Sequence, residues 1–129
     1  MNDTTTMHID SPARPGVALA ALNCPPHTPE QTKESLNELT ALAETLGFTV
    51  VDTFMQSRSA PDPRTFIGRG KLEQMGFALA EKQLELVLFD HDLSPKQSQL
   101  IESTLDCMVW DRTQVILEIF ARHARTSEA

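Results

Sequence analysis

The chain predicts an α/β domain: a four-stranded, mainly parallel sheet flanked by helices in the order βαβαβαβα. Two observations carry this. Short continuous apolar runs, such as Gly-Val-Ala-Leu-Ala-Ala-Leu at Gly16–Leu22, have the pattern of strands buried on both faces. Between them lie stretches with apolar residues at helical spacing, opened by cap signals. Such alternation requires a parallel sheet covered by helices. Right-handed crossovers then bring all four strand C-terminal ends to one edge, and the first strand is expected inside the sheet.

The elements follow in order. Met1–Pro15 is rich in Thr, Asp, Pro and Ser without apolar periodicity, and reads as a disordered lead-in to a single domain over 16–129. Asn23–Pro29 holds three prolines and is loop. Thr28 caps the first helix, with Pro29 at its first position and Gln31 as capping-box partner. Leu36, Leu39, Leu42, Ala43 and Leu46 form its apolar stripe, and Gly47 ends it. Its glutamates read as a solvated face. Phe48–Met55, β-branched and aromatic, is a strand. A polar loop over Gln56–Thr65 leads to a helix over Lys71–Lys82 with Leu72, Met75 and Leu79 on one face. Leu84–Phe89 is a strand that delivers Asp90, His91 and Asp92 to a turn. Ser94, Pro95 and Gln97 open another capped helix, with Leu100, Ile101 and Leu105 facing its core. Cys107–Trp110 is a short strand. Asp111 caps a last helix whose apolar set is Val115, Ile116, Ile119 and Phe120. No Gly or Pro stops that helix before Ala129, so it is expected to continue beyond this sequence.

The totals exclude several classes. A net charge of −7 argues against binding polyanions over the whole surface, so a nucleic-acid contact needs a local basic patch. Two cysteines far apart, Cys24 and Cys107, fit reduced thiols in a cytoplasmic protein rather than a disulfide scaffold or zinc site. No run approaches the roughly 18 apolar residues of a membrane span, and the polar N-terminus shows no signal peptide.

One local patch exists. Arg58, Arg64, Arg69 and Lys71 stand against a single acid, Asp62, and two of the five glycines, Gly68 and Gly70, lie among them. Glycine permits positive φ and close ligand approach. The arginines and lysine can meet phosphate, and a helix starting near Lys71 would aim free N–H groups at it. The phosphate- or RNA-binding set is therefore Arg64, Gly68, Arg69, Gly70 and Lys71, with Lys96 and Arg112 as additional rim candidates. A surface loop that merely turns and solvates itself is the competing reading.

Catalytic motifs fail. Gly68-Arg69-Gly70-Lys71-Leu72 is too short for a nucleotide-hydrolysing phosphate loop, and Leu72 replaces the metal-binding hydroxyl. Glu73 stands where a dinucleotide fingerprint needs glycine. Asp90, Asp92 and Asp111 lie at strand ends and are weak metal candidates, with cap and turn roles competing. The four histidines show no ligand spacing, and no triad is visible. Cys107 reads as an inert thiol and Trp110 as core. Binding fits these residues better than catalysis.

Three stretches in register resemble the N-terminal domain of the HflX family of ribosome-associated GTPases. Pro63-Arg64-Thr65-Phe66-Ile67-Gly68-Arg69-Gly70-Lys71 is similar to that family's Pro-x-Thr-Tyr-Ile-Gly-x-Gly-Lys. Phe89-Asp90-His91-Asp92-Leu93-Ser94-Pro95-Lys96-Gln97 is similar to Phe-Asp-Asp-Glu-Leu-Ser-Pro-x-Gln. Asp111–Ala121 resembles Asp-Arg-Thr-x-Leu-Ile-Leu-Asp-Ile-Phe-Ala. Phe66, Arg69, His91 and Gln114 depart from the usual residues; Arg69 and His91 are expected to make the edge more basic. The resemblance implies a regulatory domain that reaches ribosomal RNA on the large subunit, in a protein that splits stalled or stressed ribosomes. It also implies a helical segment and a G domain, both outside this chain, with GTP and Mg²⁺ bound in the latter. ATP binding by the N-terminal domain, or docking on its own G domain without RNA, are the alternatives. No cofactor is expected in this stretch.

Overall fold

A computed structural model describes residues 14–128. The predicted lead-in lies, but for its last two residues, outside the described residues. Four strands and four helices alternate: β1 Gly16–Asn23, α1 Pro29–Thr45, β2 Thr49–Ser57, α2 Arg69–Glu81, β3 Leu86–Phe89, α3 Pro95–Leu105, β4 Met108–Trp110 and α4 Arg112–Glu128. The sheet order is β2-β1-β3-β4 and every pairing is parallel. The expected α/β class holds, and β1 is internal as expected. Its six residues Val17–Leu22 are all buried, which is why this segment is apolar without alternation.

Each face of the sheet has its own core. Ala18, Ala20, Val87 and Phe89 meet Ile67, Leu72, Met75 and Leu79 on the side of α2 and α3. Val17, Leu19 and Leu88 meet Leu36, Leu39 and Val115 on the side of α1 and α4. The pleat of β1 divides it between the two, with Ala18, Ala20 and Leu22 on one side and Val17, Leu19 and Ala21 on the other.

The caps form as read. Thr28 with Gln31, and Ser94 with Gln97, make complete capping boxes. Gly47 takes φ 88° just past α1, where a side chain would be strained.

Three expectations need correction. First, α2 begins at Arg69, two residues before Lys71, with Gly68 as an N-cap that offers no side chain. Second, only one stripe of α4 packs: Val115 is buried and Ile119 partly so, while Ile116 and Phe120 face outward. The cause is a short neighbour. β4 is three residues long and cannot cover a wide helix face. Third, Leu100 is half-buried beside the β2–α2 loop rather than in the core. β2 carries one extra residue, Val51, where its register against β1 shifts between Val17 and Ala18.

Candidate nucleic-acid interface

The strand ends meet at one edge, and hydrogen bonds tie their loops together. Arg58 N–H donates to Asn23 O, Leu93 N–H to an Asp111 carboxylate oxygen, and Arg112 N–H to His91 O. Two regions with opposite electrostatics result.

The first lies between the β2–α2 loop and α3. The loop is held by Asp62, whose Oδ1 accepts the N–H groups of Arg64 and Thr65 at 2.8 and 3.2 Å. Those two bonds, Arg64 first, keep the Asp62 carboxyl below its usual range. Asp62 and Phe66 also exchange backbone bonds at 2.9 and 2.8 Å. Phe66 takes φ 65°, so the left-handed turn expected at a glycine sits at an aromatic residue. Gly68 has φ −58°, so its backbone does not call for glycine. A Cβ there would stand 2.8 Å from Arg58 Nη1 and 3.1 Å from Gln56 Nε2, the far ends of long side chains that can swing aside. The Gln56 amide oxygen accepts Gly68 N–H at 2.8 Å, pinning the loop where α2 starts. A Cβ on Gly70 would meet open space, so the backbone there lies bare.

Arg64 lines two adjoining grooves. One, of 420 Å³, runs along Pro63, Ser94, Lys96, Gln97 and Leu100. The other, of 300 Å³, includes Asp62, Arg69 and Thr104. Arg64, Arg69 and Lys96 are thus brought together. Arg69 has a carboxylate neighbour, Glu73 at 3.7 Å, but its side chain is 81% exposed, so the pair holds it weakly. Gln97 was readable as a cap; it also donates to Pro63 O at 3.3 Å and ties α3 to the loop. Lys71 lies outside both grooves and acts on Asp52, whose carboxyl is held low chiefly by its hydrogen bond from Lys82.

The second region is the crevice between the ends of β1 and β3. Those strands are neighbours whose connections leave in opposite directions, the place where open α/β sheets usually take a ligand. Its 330 Å³ are lined by His27, Gln31, Glu34, Glu38, Asp90 and His91 among others. Arg112 is consumed here. Its guanidinium pairs with buried Asp90, with Glu38 at 2.9 Å, and with Ser35 Oγ at 3.2 Å. It does not join the basic set, and Glu38 is no mere solvated residue. Asp92 accepts the Thr113 hydroxyl at 2.7 Å, and Asp111 accepts Leu93 and Gln114 N–H. These carboxylates are therefore spent on turns, caps and the Arg112 pair.

His91 sits between the regions, and sequence reasoning misread it. Its Nε2 accepts Leu22 N–H at 2.8 Å, and its ring lies 4.6 Å from Phe66. Burial, against the opposing charge of Asp90, pushes its pKa below the ordinary value. A ring that accepts at Nε2 is neutral, with its proton on Nδ1. His91 therefore adds structure, not charge. Burial also pushes the Cys107 thiol up to about 11, consistent with an unreactive group.

The family model described as "GTP-binding GTPase N-terminal" matches residues 33–121. The chain belongs to the HflX N-terminal domain family. A GTPase HflX from Flavobacterium psychrophilum is 42% identical over 100 residues, covering 78% of this chain and 24% of that protein. The Escherichia coli GTPase HflX is 40% identical over 101 residues, with 78% and 24% covered. The chain thus spans about a quarter of the length of these curated HflX relatives. A crystal structure of a GTP-binding protein from Sulfolobus solfataricus in complex with GDP superposes with a TM-score of 0.61 at 22% identity, over 82% of this chain and 30% of that one. At that identity the likeness establishes the fold alone. No helix among the described residues is long and apolar enough to cross a membrane.

Proposed function

We propose that this HflX-family domain is the regulatory, RNA-contacting part of a cytoplasmic GTPase that binds the large ribosomal subunit and splits stalled or stressed ribosomes. One observation carries the reading. In a chain of net charge −7, the fold gathers Arg64, Arg69 and Lys96 on two adjoining grooves. Such a patch suits a run of phosphates, with arginine forks setting geometry and lysine adding charge. The exposed backbone at Gly70 and the N–H groups that open α2 support it. Lys71 adds charge from the flank. Nucleotide hydrolysis belongs in a separate G domain with GTP and Mg²⁺. The acidic crevice, its arginine already paired, gives no comparable support to ATP.

The test is sedimentation of the chain with large ribosomal subunits across salt concentrations. Roughly three phosphate contacts should give a log–log salt slope near −2 to −3. Joint charge reversal, Arg64→Glu, Arg69→Glu and Lys96→Glu, should abolish binding. Unchanged affinity in that variant defeats the proposal. If the variant instead alters GTP turnover of a full-length protein without ribosomes, the edge serves as an intramolecular regulator.

A further inference from the structure

The geometry points to His91 as the positioning residue of the basic loop: a neutral acceptor that locks the end of β1 to Phe66. The inference rests on the loop's proposed role in gripping phosphate, and it names what holds that loop in shape.

The need begins at the sheet. The β1–β3 ladder ends where Asp90 N–H donates to Ala20 O at 2.9 Å, because the chain turns away after Phe89. Leu22 N–H, on a residue 3% exposed, lies one step further and has lost its strand partner. A buried amide without an acceptor is costly. The side chain of His91 replaces the missing strand through Nε2 at 2.8 Å. Once so fixed, its ring presents one face to Phe66 at 4.6 Å and 41°. The backbone of His91 is held independently, its carbonyl accepting Arg112 N–H at 3.2 Å.

Phe66 transmits this to the cations. Its left-handed backbone, φ 65°, is unfavourable for an aromatic residue and persists only when surrounding contacts impose it. Two backbone bonds with Asp62 and the ring contact with His91 are those contacts. Asp62 in turn holds the backbone of Arg64. The chain of contacts runs Leu22, His91, Phe66, Asp62, Arg64. Asp90, Asp92, His27 and Arg112 are the charged or titratable groups around the imidazole. Asp90 and Arg112 already satisfy one another, which leaves the ring free to remain an uncharged acceptor.

The test uses the whole chain. In His91→Ala, amide hydrogen exchange at Leu22, Phe66 and Gly68 should quicken by about tenfold or more, and large-subunit affinity should fall at least several-fold. His91→Gln places an amide oxygen near the Nε2 position and should restore protection at Leu22 and part of the affinity. Phe66→Ala should loosen Gly68 while leaving Leu22 protected. Exchange at Phe66 and Gly68 within twofold of the parent in His91→Ala overturns the inference. If His91→Ala does not fold, imidazole ¹⁵N resonances of the unaltered chain decide: a proton on Nδ1 supports the assignment, and a proton on Nε2 overturns it. If loop protection depends on His91 but the unaltered chain has no affinity for large subunits, the proposed function fails and the positioning role stands. Affinity that the triple reversal abolishes, with loop exchange indifferent to His91, defeats the positioning role alone.

Discussion

Two regions of the same sheet edge use arginine in opposite ways. In the crevice between β1 and β3, Arg112 is clasped by Asp90, whose side chain is 2% exposed, and by Glu38. In the grooves beside α3, Arg64 and Arg69 keep their guanidinium groups at the surface. The first arrangement holds the fold together and the second leaves charge for a partner. The lesson is that basic residues at strand ends cannot be counted as a ligand site until their carboxylates have been counted too.

The strongest way to break this contrast is to remove one member of each set. Asp90→Ala strands a largely buried guanidinium and should cost about 3 kcal/mol in urea unfolding, Glu38 limiting the loss. Arg64→Ala, in the same assay, should stay within about 0.5 kcal/mol. Equal losses would erase the distinction. The reverse should hold for binding. Arg64→Ala should weaken large-subunit affinity several-fold and reduce the salt slope by about 1, whereas Glu34→Gln in the crevice should leave both unchanged.

The pH dependence sharpens the comparison at its midpoint. Burial lowers the folded-state pKa of His91 below the ordinary 6.5. The unfolded chain then takes up the proton first, so stability should decline as pH falls below about 6.5. His91→Gln should flatten that part of the profile. Asp52 and Asp62 act in the same sense in a more acidic window: their carboxyls are held low, by Lys82 and by Arg64 N–H respectively, and their contributions vanish only as pH falls through and below 3.8. The smallest effects concern glycine. Gly70→Ala replaces a helical glycine with open space around it and should stabilise α2 by roughly 0.5–1 kcal/mol. Gly47→Ala, at φ 88°, should destabilise by about 1 kcal/mol. Thermal unfolding of the two variants separates them by sign.

Most of the fold was legible because its signals are local. Capping boxes at Thr28 and Ser94 and the unbroken apolar β1 lie within short windows of sequence. What escaped depends on partners far along the chain. Arg112 meets Glu38 across 74 positions, and no local pattern reveals that pairing. His91 reads as a cation until the unpaired amide of Leu22, 69 positions away, defines it as an acceptor. The α2 boundary was misplaced because Gly68 caps without a side chain, leaving no hydroxyl or carboxylate to recognise. The outward face of α4 was misread because periodicity reveals an apolar stripe but not the width of the sheet beneath it.

The irregularity in β2 has a consequence for the protein in a crowded solution. A nine-residue outer strand could recruit the matching strand of another molecule. Here Val51 interrupts the regular spacing, Asp52 accepts the N–H of Thr53 at 2.9 Å, and Lys82, just past the end of α2, fastens Asp52. The margin thus carries its own stopper, and fibrillar stacking finds no continuous template along it.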